Sequence, residues 1–159
     1  MTDSEKLLEN YINSTCEKPI YDCWTDGSCN NLSLNGEGGA AYMIMRDGKE
    51  IRRASKGLVN TTNNRAEMLA IISAVKWCPV GAQVNVHTDS KYCIMSFLRK
   101  GRIMGNVKNS DLIHLYRQVA SGKYVHFEWV KGHNGDEYNE LVDSMANGEY
   151  MRMCNMVTV

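Results

Sequence analysis

Four acidic side chains, Asp26, Glu67, Asp89 and Asp143, each fall at or near an expected element boundary of this 159-residue chain. Carboxylates held close together repel one another, so such a cluster is unfavourable without cations. Hard divalent ions take oxygen ligands of this kind and keep several waters. Two of them about 3.5–4 Å apart can activate a water and stabilise the leaving oxygen of a phosphodiester. Strand ends and helix starts are rigid mounts for the ligands. The expectation is that the chain folds to gather these four around divalent metal.

Taken singly, each residue has a plainer reading. Asp26-Gly27 reads as a turn, and Glu67 as an acid favoured by a helix N-terminus. Asp89-Ser90 reads as a helix cap, and Asp143 as a solvated helical charge. Only their order and context together raise the chemical reading above these.

The elements that must position them follow from periodicity. A strand over about residues 20–25 ends in the Asp26 turn and should lie mid-sheet. Residues 30–39 form an Asn- and Gly-rich loop. Strands over 40–45 and 50–59 are joined at Asp47-Gly48, a strong two-residue hairpin signal. Thr61 to Asn64 supply capping residues for a helix over 65–78, with Glu67 in its first turn and Pro79 closing it. A strand over 82–88 ends at Asp89, and Ser90 caps a helix over 91–99. Ser110-Asp111 cap a third helix over 112–120. A last strand covers 123–130, and a final helix covers 137–152. Residues 3–13 have helical spacing and form an appended helix or a frayed terminus. The order is βββαβααβα, an α/β fold with a mixed sheet and helices on its faces.

One domain is expected at this length. Formal net charge is zero, but residues 46–131 hold 15 basic and 6 acidic groups against 3 and 12 elsewhere. A basic middle suits a polyanion, although a mixed solvated surface explains the same pattern. Six cysteines show no CxxC pairing and suit free thiols in a reducing cytoplasm. No apolar run approaches the roughly 20 residues of a membrane span.

The blocks Thr25-Asp26-Gly27-Ser28-Cys29, Thr62-Asn63-Asn64-Arg65-Ala66-Glu67 and His87-Thr88-Asp89-Ser90-Lys91-Tyr92 occur in that order. They are followed by Trp129-Val130-Lys131-Gly132-His133-Asn134-Gly135 and by Asn139-Glu140 through Asp143. This series resembles the signature blocks of type 1 ribonucleases H, from about residue 20 to 150. The resemblance implies a ribonuclease H-like fold with a five-stranded βββαβαβα-type sheet. It divides the chain into a leader (1–19), a catalytic domain (20–153) and a tail (154–159). It implies an endonuclease that hydrolyses the RNA strand of an RNA–DNA hybrid duplex, leaving 5′-phosphate and 3′-hydroxyl ends. Its cofactor would be two magnesium ions, with manganese able to substitute. The expected state is a cytoplasmic monomer with no membrane partner.

Residue by residue, the resemblance makes Asp26 a ligand shared by both ions. Glu67 and Asp89 would hold one ion, with Glu67 also near a ribose 2′-hydroxyl, and Asp143 would hold the other. His133 would assist proton transfer or product release. Cys29, Thr62, Asn63, Lys91 and Asn109 fall at substrate-binding positions, Asn63 toward the RNA strand and Thr62 and Asn109 toward a DNA phosphate. Backbone contacts of this sort make cleavage largely independent of base sequence. The other histidines, His87, His114 and His126, belong to no motif and read as structural or surface residues.

The chain also departs from the pattern. Residues 99–107 replace the extra basic helix that many bacterial members carry, leaving Arg99, Lys100 and Arg102 as a partial substitute. Lys91 stands where a glutamine is common. Two competing readings are a catalytically silent scaffold, which should have lost a carboxylate, and a nuclease of DNA junctions or double-stranded RNA.

Overall fold

The computed structural model describes residues 1–16, 18–30, 35–132 and 135–157. Helix α1 (Asp3–Cys16) precedes strands β1 (Ile20–Cys29), β2 (Gly38–Arg46) and β3 (Lys49–Leu58). Helix α2 (Asn63–Trp77), β4 (Gln83–Thr88), α3 (Lys91–Phe97), α4 (Ser110–Ala120), β5 (Tyr124–Trp129) and α5 (Glu137–Val157) follow. The five strands form one mixed sheet in the order β3-β2-β1-β4-β5. β1 is therefore central, antiparallel to β2 and parallel to β4.

The local chemistry accounts for these joints. At the β2–β3 turn both Asp47 and Gly48 have positive φ, 53° and 75°, the backbone an Asp-Gly hairpin turn supplies. Thr62 caps α2 by accepting a hydrogen bond from the Arg65 N–H at 3.2 Å. Cys78 leaves that helix in extended backbone, as the residue before Pro79 must. Ser90 caps α3 through the Cys93 N–H at 3.1 Å.

Two apolar layers sandwich the sheet. On one face Tyr21, Cys23, Ile44, Val84 and Val86 pack under Met68, Ile71 and Val75 of α2 and Ile113 of α4. On the other, Trp24, Ala41 and Met43 meet Leu141, Val142 and Ala146 of α5. The alternation along β1 (Cys23 one way, Trp24 the other) is the period-2 pattern of a strand covered on both sides. Each fully buried aliphatic side chain contributes about 1.5–3 kcal/mol. Helix α5 also comes down on bare backbone: a Cβ on Gly39 would lie 2.2 Å from the Ala146 carbonyl oxygen.

Several boundaries differ from the sequence reading. β1 does not turn at Asp26-Gly27; it continues to Cys29, because β2 keeps pairing with it as far as Cys29↔Gly38. Glu67 lies in the second turn of α2, since the helix begins at Asn63. The N-cap of α4 is Asn109, in left-handed backbone and without a side-chain cap bond; Ser110 and Asp111 are already helical. α3 stops at Phe97, and α5 runs on to Val157. No helix lies between α3 and α4, where the extra basic helix of the resembling bacterial proteins would stand. No described helix is long and apolar enough to cross a membrane.

Candidate active site

β1 and β4 part company beyond the pair Trp24↔His87, the last rung of their parallel ladder. From Thr25 onward β1 has a strand partner only on the β2 side. The chain leaves β1 toward β2 and leaves β4 toward β5, in opposite directions. In open α/β sheets a crevice forms at such a divergence, outside the carboxyl ends of the strands.

Asp26 and Asp89 stand just beyond that divergence. Asp26 is 4% exposed, and the Gly27 N–H donates to its Oδ1 at 2.9 Å. Asp89 follows β4 directly. Its carbonyl oxygen accepts from Trp129 Nε1 at 3.1 Å, and a Cβ on Gly132 would stand 3.0 Å from its Oδ2. Glu67 arrives from α2, which is pressed so hard on β1 that a Cβ on Gly27 would lie 2.3 Å from the Glu67 nitrogen. The Ser90 hydroxyl hydrogen-bonds the Glu67 carboxylate. One oxygen each from Asp26, Glu67 and Asp89 fall within 4.8 Å of one another. Asp143, brought by α5 on the far layer, shares a hydrogen bond with Asp26. Asn147, one turn on, donates to Asp143 Oδ2 at 3.5 Å. Three of the acids thus meet at one place, from β1, the end of β4 and α2, and Asp143 comes against one of them, Asp26, from α5.

The electrostatics follow from this crowding. Burial, the hydrogen bond to Asp143 and the charges of Asp89 and Glu67 push the Asp26 carboxyl up to about 9. Burial pushes Glu67 up to about 7, reinforced by Asp89 and opposed by the Ser90 hydrogen bond. Every charged neighbour that acts on Asp26 is another carboxylate. A group of hard oxygen donors in this state gains from positive charge, and it fits divalent cations of the magnesium type.

The remaining sequence-derived residues fall at different distances from this centre. The Cys29 N–H donates to Asn63 Oδ1 at 3.0 Å, joining the end of β1 to the start of α2. Thr62, Asn63, Asn64, Thr61 and Lys108 line a polar cavity of about 460 Å³ beside it. Asn109 donates to the Tyr92 hydroxyl at 2.8 Å and accepts from the Arg65 guanidinium at 3.2 Å. Lys91 carries its ammonium 4.2 Å above the exposed Trp129 ring. His133 lies outside the described residues. Gly132 and Trp129 had no place in the sequence reading beyond their motif, and Gly27 and Ser90 only those of a turn and a cap, yet each touches a carboxylate-bearing residue.

The RNase H family model matches residues 19–150. Ribonuclease H of Bordetella avium is 33% identical over 146 residues, covering 84% of this chain and 94% of its own. Ribonuclease H of Neorickettsia sennetsu is 35% identical over 146 residues, covering 85% and 95%. Among solved structures, a type 1 RNase H with the type 2 active-site motif superimposes with a TM-score of 0.72 at 25% identity, covering 84% of this chain and 73% of its own. The N-terminal RNase H domain of a Mycobacterium tuberculosis protein gives the same TM-score of 0.72 at 18% identity and shares the fold, covering 88% of this chain and 99% of its own.

Proposed function

The chain belongs to the RNase H family and is a ribonuclease H; from that premise we propose that it cleaves the RNA strand of RNA–DNA hybrids at the Asp26 crevice. The observation that carries the reading is the meeting of Asp26, Glu67 and Asp89 within 4.8 Å, with Asp143 bonded to Asp26. These side chains would hold two divalent ions, Mg²⁺ with Mn²⁺ able to substitute. Asp26 would serve both, Glu67 and Asp89 would hold one, and Asp143 would hold the other. When bound, such ions activate a water and stabilise the departing oxygen, leaving 5′-phosphate and 3′-hydroxyl ends.

The chain's own groups orient the substrate. Glu67 lies where a ribose 2′-hydroxyl would approach, the group that distinguishes RNA from DNA. Cys29 and Asn63, joined by their hydrogen bond, form a polar ledge for the RNA strand. Thr62, at the rim of the cavity it shares with Lys108, and Asn109, held by Arg65, take a phosphate of the DNA strand. Lys91 supplies a cation near the duplex, and His133 assists proton transfer or product release. These contacts address backbone, so cleavage is largely sequence-independent. We further assign the work to residues 20–153 and take the enzyme to act as a cytoplasmic monomer. The described cysteines, none in a disulfide, suit a reducing compartment.

Labelled RNA–DNA hybrid, double-stranded RNA and double-stranded DNA, each with Mg²⁺ and with chelator, test the proposal. Cleavage of the RNA strand of the hybrid alone, abolished by chelator and ending in 5′-phosphate, is expected. Equal cutting of double-stranded DNA, or cutting in chelator, contradicts it.

A further inference from the structure

Behind the carboxylates lies a row of rings. Trp24, His87 and Glu128 are direct lateral partners on β1, β4 and β5. The Trp24 and His87 rings stack with centroids 4.2 Å apart and planes 6° from parallel. Tyr138 of α5 leans against Trp24, its centroid 4.8 Å away and its plane tilted by 54°. The His87 side chain is only 13% exposed and is gripped at both ends: Nε2 lies 3.2 Å from Asp22 Oδ1, and Nδ1 lies 3.2 Å from Glu128 Oε2.

The position of this stack gives it a task. Trp24↔His87 is the rung at which β1 and β4 stop pairing. Trp24 stands two residues before Asp26, His87 two before Asp89, and Tyr138 five before Asp143. Asp22, Trp24 and Asp26 alternate onto one face of β1, the face that α5 covers. Beyond the rung no strand hydrogen bond fixes the separation of Asp26 from Asp89. The stacked pair Trp24–His87, on the strands that lead into Asp26 and Asp89, with Tyr138 of the Asp143 helix leaning on it, is then a rigid spacer beside them.

We propose that the Tyr138–Trp24–His87 stack sets the separation of the metal-binding carboxylates, with His87 as a positioning residue that touches neither metal nor substrate. The proposal rests on the reading of these carboxylates as a divalent-metal site. Outer supports of metal ligands commonly tune affinity by about 10–100-fold. A spacer acting through an aromatic face should be sensitive to loss of the ring and tolerant of its replacement by another flat ring.

The test is titration calorimetry with Mg²⁺ on the full-length wild type, His87→Ala and His87→Phe, with circular dichroism to establish that each is folded. The expected result is Mg²⁺ affinity about tenfold weaker in His87→Ala and within about twofold of wild type in His87→Phe, which restores the stack without the links to Asp22 and Glu128. Thermal midpoints in chelator report the purely structural cost separately. A folded His87→Ala with lowered thermal midpoint but unchanged Mg²⁺ affinity overturns the proposal. So does His87→Phe binding as weakly as His87→Ala. Wild type that takes up no Mg²⁺ removes the metal-site reading itself, and this inference with it.

Discussion

The backbone of Gly27 rests directly on the backbone of Glu67, with room for a hydrogen and none for a methyl: a Cβ there would meet the Glu67 nitrogen at 2.3 Å and the Ala66 carbonyl carbon at 2.4 Å. The central strand and the helix that delivers a carboxylate are thus fixed against each other at the site. Gly27→Ala must push α2 away from β1. We expect it to destabilise the protein by about 3 kcal/mol, the upper range for overpacking, and to cost activity even where the variant stays folded. Denaturant unfolding and hybrid cleavage together check this; an active Gly27→Ala of normal stability would show that the two backbones are not as tightly pressed as described.

Metal-free stability should fall as pH rises. Burial first, then the Asp143 hydrogen bond, pushes the Asp26 carboxyl up to about 9 in the folded protein against roughly 3.9 unfolded, so the folded state binds the proton more tightly. Its contribution is fully present below the unfolded value and is lost as pH climbs through the folded one. Glu67, pushed up to about 7 by burial first, adds in the same direction. Thermal scans in chelator should give a lower midpoint at pH 9 than at pH 5. At pH 8 the Asp26→Asn variant should melt about 5 °C higher than wild type, the effect of roughly 2 kcal/mol in a chain of this size. Added Mg²⁺ should raise the wild-type midpoint and leave that of Asp26→Asn almost unchanged. Equal pH profiles for the two proteins would refute the crowded-carboxylate account.

Much of this arrangement is legible in the sequence because it is local. The Asp47-Gly48 turn, the Thr62 and Ser90 caps and the Pro79 stop each depend on a few neighbouring residues, and each stands where the sequence puts it. That Asp26, Glu67 and Asp89 come together is legible through their motifs. What escapes depends on partners distant in the chain. β1 outruns its expected end because β2 continues to pair with Gly27, Ser28 and Cys29; a strand's length is set by its neighbour as much as by itself. The left-handed Asn109 at the start of α4 is held by Arg65 and Tyr92, 44 and 17 residues away, which no capping rule sees. His87 reads as an ordinary histidine because its task exists only in the register that sets it beside Trp24.

Arg65 organises the region expected to receive the DNA strand. Its guanidinium grips both oxygens of Asp111, at 3.0 and 2.8 Å, and also Asn109 Oδ1 at 3.2 Å. A lysine keeps the charge but not the planar fork. We expect Arg65→Lys to raise KM for hybrid by about three- to tenfold and to change kcat by less than about twofold, the pattern of weakened uniform binding. Steady-state kinetics decide; a fall in kcat at unchanged KM would place Arg65 in the chemistry instead.

Without a basic helix between α3 and α4, Arg99, Lys100 and Arg102 of the connecting loop are the partial substitute we propose for it. Removing one side chain that neutralises a phosphate should lower the slope of log affinity against log salt by about one. Replacing Lys100 and Arg102 together with alanine should therefore flatten the salt dependence of hybrid binding by up to about two and leave kcat at saturating hybrid intact. An unchanged slope would mean that this loop does not face the duplex.

Cleavage of labelled RNA–DNA hybrid by Asp26→Asn, in saturating Mg²⁺ and beside wild type, tests the central claim most directly. The substitution keeps the size of the side chain, removes its negative charge and turns one ligand oxygen into an amide donor. The rate should fall by on the order of a thousandfold, about 4 kcal/mol of barrier, with the variant folded and still binding hybrid. A folded Asp26→Asn that cuts hybrid at a rate near wild type would contradict the assignment of the crevice between β1 and β4 as the catalytic centre.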